Sequence, residues 1–509
     1  QNLSEPSKAL ITAREYRREF RRGGWLVELR GMTDAEAREL VIERLRMLRI
    51  EKLVNDQAQL EPLLAATGGN PKAIEITLGL MKYERRPFQQ VVDDLYAARG
   101  ELFEDLFTRA WSLLDEAARR ILLAMTFFPS SASNIALSTC ADVQGFAFDR
   151  AIDQLIDLAL VDVEQADLAS TSRYTLHPLV RAFAGMQIIG QPDLENRIRN
   201  LWIEYFLEFA RQCETIGWDS IEQFDQVEQD IINFEAVMRY CYDKQYWKYL
   251  IEMVLIMRSF WGTRGYYETR DVFVALALYA AEQTEELTAQ ISLLCTQTRS
   301  FCYRNNATKA LECYEKASNH MQTLVNPDIS LITRLNYAQI RLLILLEDFD
   351  KLFTVAQRNV AISELHGLRN LVIAKYDIAV YFYHAKRYDE AEELLNQIVT
   401  ESIKLGYARM PIFGWLSLAN IALHKNQISI AEKYLQLAEK RASELKHQRY
   451  VAEVHRVWAR LHTLQGNLPA ARASLAEAID LFERLGMRRE LAEARDELAQ
   501  LDELATTQA

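Results

Sequence analysis

A repeat of fixed period constrains this chain more than any other feature, because a period decides the architecture before any single helix is placed. The segments YDEAEELLNQIVTESIKLG from Tyr388, ISIAEKYLQLAEKRASELK from Ile428 and LPAARASLAEAIDLFERLG from Leu468 align without a gap. Their alanines Ala391, Ala431 and Ala471 stand 40 residues apart, as do Leu365, Leu405, Leu445 and Leu485 near the segment ends. Two weaker copies precede them, ATKALECYEKA around Ala310 and FDKLFTVAQRNVAISELHG around Leu352. Apolar residues at i, i+3, i+4 and i+7 predict helices, and a small residue at one fixed place lets the two helices of a hairpin approach closely. Polar or glycine-bearing turns such as Gln465-Gly466-Asn467 and Lys386-Arg387 separate them. Each unit buries its apolar face only against its neighbours, so the units stack, and a piece cut near residue 285 is expected to fold alone. The aromatic residues Tyr376, Tyr381, Phe382, Tyr383, Trp415 and Trp458 are read as hairpin core.

The rest of the chain is an ordinary folded composition. Its 509 residues exceed what one core supports, and its 50% hydrophobic and 26% charged residues leave no long disordered stretch. No apolar run is long enough to span a bilayer and no signal peptide opens the chain, so a cytoplasmic location is expected. Cys140, Cys213, Cys241, Cys295, Cys302 and Cys313 stand singly, with no CxxC pair, so neither a disulfide framework nor a metal site is predicted. The net charge of -12 disfavours nucleic acid as a partner, although Arg14, Arg17, Arg18, Arg21 and Arg22 form one basic cluster, read as a solvated face. The sequence opens at Gln1 without an initiator methionine, which reads as a piece of something longer.

Ahead of the repeats, Ala9 to Ile11 form a strand-like run. Thr33 and Glu36 make a capping box before TDAEARELVIERLRML, and Gly68-Gly69-Asn70-Pro71 turns into a helix that Asn70 caps and Pro71 starts. From Trp111 to Ala184 the order is helix, turn, helix, helix and two short strands, with LVDVEQ and RYTLH as the strands. That is the layout of a winged helix, whose would-be reading helix carries Asp149, Asp153 and Asp157 instead of the basic residues that phosphate contacts need. The predicted organisation is mainly α: residues 1–30 the remnant of an α/β domain, 31–100 a helical domain, 101–190 a winged helix, 191–284 a helical linker and 285–505 the repeats. No GxxxxGK[ST] loop and no catalytic dyad occurs, so no catalysis is expected of this chain.

The repeats resemble the tetratricopeptide repeat, with a period longer than its ~34 residues that implies lengthened helices or loops. Such stacks present a groove suited to a protein or peptide ligand. Across residues 1–270, four stretches in order resemble the regulatory half of a STAND signalling ATPase of the NB-ARC type: ALITAR, TGGNPKAI, YTLHPLVRAFA and VEQDIINFEAVMRYC. The resemblance implies that Arg14 reads the terminal phosphate of a nucleotide, that Pro71 packs by the adenine and that His177 contacts the β-phosphate of bound ADP. Pro178 stands where the family's Met-His-Asp motif has its aspartate. ADP or ATP is therefore implied as the cofactor of a parent protein, with none bound tightly by this chain, whose Walker lysine and acids would precede Gln1. The implied partners are the N-terminal nucleotide-binding and effector region and further copies on activation. Two other readings stay open: a nucleotide-independent tetratricopeptide scaffold or adaptor, and a large tetratricopeptide transcription regulator.

Overall fold

A computed structural model of the chain describes residues 32–53, 60–84, 88–97, 102–164, 172–215, 221–364 and 367–508. Arg14, the 1–30 segment with its expected strand, and Leu365 lie outside the described residues. Those described form 25 α-helices, one 3-10 turn and three short strands, so the chain is mainly α. The described residues pack as two compact units, the first falling within positions 32–122, 145–163 and 176–186, the second within 123–144, 164–175 and 187–508.

In the first unit the helix Asp34–Leu48 starts at the expected capping box. Glu36 N–H donates to Thr33 Oγ1 and Thr33 N–H donates to Glu36 Oε2 at 2.8 Å. Asn70 caps the next long helix, Pro71–Glu84, by accepting from Ala73 N–H at 3.1 Å. This helix is buried on most of its circumference, with Ala73, Ile74, Ile76, Leu78, Leu80 and Met81 no more than 1% exposed. At Gly79 it lies directly on backbone: a Cβ there would sit 2.5 Å from Asp157 O and 2.7 Å from Leu158 Cα. The strand expected over LVDVEQ shrinks to Asp162–Glu164, because Leu158, Ala159, Leu160 and Val161 bury their side chains in a turn in which Ala159 takes a φ of 53°.

The second unit begins with the strand Ala132–Ser133, antiparallel to Arg173–Thr175 with Ala132 opposite Tyr174. Arg173 donates to Ser131 Oγ at 2.8 Å, to Ser131 O at 2.9 Å and to Asp230 Oδ1 at 2.7 Å. Asn233, fully buried, donates to Ser131 O and Asp230 Oδ1, so every polar group in this buried knot finds a partner.

From Trp247 the unit is a tetratricopeptide-like α-solenoid of helical hairpins. The period of 40 residues is met by long helices and short turns. Leu287–Tyr303, Ala307–Thr323, Ile329–Leu345, Leu368–His384, Tyr388–Lys404, Ile428–Glu444, Gln448–Leu464 and Leu468–Arg484 each hold 17 residues. The turn inside each hairpin bends at one left-handed residue, Asn305, Glu347, Lys386, Asn426 or Gly466. Ala391, Ala431 and Ala471 are completely buried where the helices meet, as the repeat requires.

The solenoid also touches itself far along the chain. Arg264, closing the helix Trp247–Arg264, donates to Leu445 O at 2.9 Å and to Asp225 at 2.5 Å. Lys446 pairs with the same Asp225 at 3.0 Å and with Glu228 at 3.3 Å. Next to them Gly265 takes a φ of 85°, and a Cβ there would lie 2.7 Å from Leu485 Cδ2, so both the backbone and the space call for glycine. Tyr267 is built into one core with Ala452, Leu475 and Phe482.

Candidate functional site

Helices of successive hairpins turn arginine and tyrosine toward one cavity of about 460 Å³. Trp247–Arg264 supplies Arg258, and Tyr267–Gln283 supplies Tyr267 and Arg270. Leu287–Tyr303 adds Arg299 and Tyr303, and Ile329–Leu345 adds Arg334, Tyr337 and Arg341. Tyr376 comes from Leu368–His384, while Arg409, Phe413, Arg449 and Tyr450 come from the next two hairpins. Among the described residues, no aspartate or glutamate lines the space. This gathering of cations belongs to a chain of net charge -12, so it is a local design against the global balance.

The guanidinium groups are held apart largely by ring faces. Arg449 lies over Tyr303 at 4.4 Å, Arg270 over Tyr267 at 4.7 Å, and Tyr337 sits between Arg341 at 4.7 Å and Arg299 at 5.4 Å. Carboxylates stand behind some of them: Asp377 lies 3.4 Å from Arg341 and Glu490 3.5 Å from Arg449. Burial pushes Asp377 up to about 7 and also raises Glu490, against the pull of their arginines. Asp377 therefore offsets less than a full charge near neutral pH. The field in the cavity shows on its other residues. Tyr303 is raised by burial, yet Arg449, Arg341, Arg299 and Arg270 together bring its phenol below the usual value. His447 is held well below its usual range by burial and then by Arg409 and Arg449, so it is a neutral imidazole, and its Nδ1 has no hydrogen-bond partner among the described residues.

Tyr376, read from the sequence as hairpin core, therefore also faces the cavity, while Tyr383 and Trp415 pack in the expected way. None of the cavity arginines was singled out by the sequence. A signal did exist: tyrosine and arginine recur three or four residues apart along these helices, as in Tyr267/Arg270, Arg299/Tyr303, Arg334/Tyr337 and Tyr337/Arg341.

Of the residues that the sequence marked for nucleotide, Pro71 and His177 are both in the first unit. Pro71 is exposed at the start of its helix and His177 immediately precedes the helix Pro178–Ile189. They are linked through Lys72, which forms an ion pair with Asp162 at 2.6 Å and whose charge acts on His177. Burial first and Lys72 second lower the imidazole below its ordinary value. Leu179 N–H donates to His177 Nδ1 at 3.3 Å, which leaves the proton of the neutral ring on Nε2 as a donor. Neither Lys72 nor Asp162 was picked out by the sequence.

No family model matches the chain. Over 286 residues it is 26% identical to the transcription activator GutR of Bacillus subtilis (strain 168), a stretch covering 51% of this chain and 34% of that protein. The chain thus spans about a third of the length of the curated relative it matches. Among solved structures it is similar to the STAND protein with a tetratricopeptide repeat sensor PH0952 from Pyrococcus horikoshii, at 14% identity over 94% of this chain and 74% of that one, with a TM-score of 0.49. It is also similar to the Rap protein complexed with Competence and Sporulation Factor, at 15% identity over 61% and 98% of the two chains and a TM-score of 0.35. Yeast Tom70 is similar at 13% identity over 91% and 96%, with a TM-score of 0.31.

Proposed function

We propose that this chain is the sensor and switch part of a STAND-type signal-transduction protein, in which the repeats take up a ligand and the first unit couples that event to nucleotide state. The observation that carries the sensor half is the cavity: side chains from successive repeats converge on one space that no core requires. For the switch half, the support is the neutral His177 with its Nε2–H donor, together with Lys72, two groups suited to a nucleotide phosphate. In this reading Arg14 reads the terminal phosphate, Pro71 packs by adenine and His177 bonds the β-phosphate of ADP in the resting state. A ligand that prefers the open state then shifts the population toward assembly with further copies.

His177→Ala tests it in the protein that carries the nucleotide-binding region. Losing a charge-assisted bond worth about 1.5–3 kcal/mol should loosen ADP about ten- to a hundredfold and give oligomers without ligand. Unchanged ADP retention together with a lower melting temperature would make His177 a packing residue and the switch reading wrong.

The identity to the transcription activator GutR favours, as a second reading of the output, a transcription regulator whose repeats sense an inducer. A reporter gene that responds to the cavity variants below, and not to His177→Ala, would favour that output.

A further inference from the structure

We propose that the cavity of the solenoid takes a small organic phosphate, its phosphate held by Arg258 and Arg299 and its hydroxyl-bearing part by Ser330, Thr333, Asn359 and Asn370. The proposal rests on the reading of the repeats as a ligand sensor and gives that ligand a chemical class.

Charge is the first argument. Arg299 meets only the face of Tyr337, and Arg258 has a buried Nη1 without a hydrogen-bond partner; neither forms an ion pair with any described residue. A buried guanidinium nitrogen without an acceptor, as at Arg258, is costly to keep, and an anion that supplies an acceptor there while meeting the charge of Arg299 removes that cost. Two unpaired guanidiniums match a dianion better than a single carboxylate, and the planar fork of arginine fits phosphate oxygens two at a time.

Size is the second. A space of about 460 Å³ lies in the range of small-molecule sites. The remaining lining completes the match. Asn359 and Asn370 both donate and accept, and Ser330 and Thr333, whose hydroxyls donate to Asp328 and to Ser330 O, keep lone pairs that accept, which suits hydroxyl groups, while Phe413 and Tyr450, stacked at 4.3 Å, offer an apolar wall. Binding of a dianion would also place a negative charge among the groups that act on Tyr303 and His447, so both should titrate at higher pH when the cavity is filled.

The test is calorimetric titration of the 509-residue chain with glucose 6-phosphate and with inorganic pyrophosphate, at constant ionic strength. Glucose, succinate and an acidic heptapeptide serve as controls. Expected are saturable binding of glucose 6-phosphate, weaker or no binding of the controls, and at least a hundredfold loss in the double variant Arg258→Gln, Arg299→Gln. Because neither arginine has an ion-pair partner, the double variant should melt no earlier than the parent. Should it melt earlier, Arg258→Lys with Arg299→Lys keeps the charges, loses the fork and should still weaken binding about tenfold. Phosphate binding that both variants leave unchanged overturns the proposal, since the ligand then sits elsewhere. Binding of succinate or the peptide alone, lost in the variants, overturns the phosphate class and leaves the sensor reading standing. No response to any probe overturns the proposal; the sensor reading then stands or falls on whether the variants alter the protein's signalling output.

Discussion

Replacing Gly79 by alanine asks whether local propensity or tertiary contact governs the helix Pro71–Glu84. Taken by itself, the change removes a helix-interior glycine and should stabilise by about 0.5–1 kcal/mol. The contacts say the reverse. The new Cβ would meet Asp157 O at 2.5 Å and Leu158 Cα at 2.7 Å, roughly an ångström inside ordinary contact. Neither atom can swing away as a side-chain tip would, because the segment is tied to its surroundings. Arg44 Nη2 donates to Ile156 O at 2.7 Å, Tyr83 donates to Asp157 at 3.1 Å and Lys82 pairs with Asp157 as well. Overpacking of this kind costs about 1–3 kcal/mol, and loosening those bonds puts it at the upper end. After the propensity gain, a net loss of about 2 kcal/mol remains, or some 4–8 °C in the melting of a unit this size. Differential scanning calorimetry gives the midpoint, and hydrogen exchange over residues 71–84 reports on this helix specifically. Equal or greater protection there in Gly79→Ala would refute the close approach and with it the packing of this helix.

Arg173→Met should destabilise the second unit by about 3–5 kcal/mol, since it leaves Asp230 buried and unpaired, whereas Arg173→Met with Asp230→Leu should recover most of the loss; urea denaturation of both variants decides it. Asp377, fully buried, has a folded-state value near 7 against 3.8 unfolded, so the folded state holds the extra proton between those values and stability falls as pH rises through that window. Asp377→Asn should flatten the melting curve between pH 4 and 7 relative to the parent, and an unaltered profile would count against the burial of that carboxyl. A piece starting at residue 285 lacks Arg264 and Tyr267, so it should melt below one starting at residue 221 in circular dichroism; equal midpoints would mean that the distant contacts add nothing.

Short-range rules read some of this molecule well. The capping box at Thr33 and Glu36, the Asn70 cap and the buried Ala391, Ala431 and Ala471 each depend on neighbours within one turn or one hairpin, and so they are written where a linear reading finds them. The strand over LVDVEQ was overread because Leu158 to Val161 are apolar for the sake of a buried turn. The cavity escaped for a different reason. Its arginines lie on helices whose apolar stripe already explains them as hairpins, and their convergence depends on how many repeats bring residue 258 near residue 449. Arg173 with Asp230, and Lys72 with Asp162, likewise join residues 57 and 90 positions apart, which no periodicity announces.

The bond from Arg264 to Leu445 makes the number of repeats an integer the fold must respect. In an open array each unit answers only to its neighbours, so gaining or losing one lengthens or shortens the stack at modest cost. Here Asp225 and Lys446 are 221 residues apart in sequence, and they meet only if the intervening hairpins sum to the right rotation. Deleting one 40-residue unit, even a well-formed one, would leave Arg264 facing the wrong carbonyl and Gly265 facing the wrong side chain. Adding or removing a whole unit would therefore break these contacts, whereas changes to residues inside a unit can leave them in place.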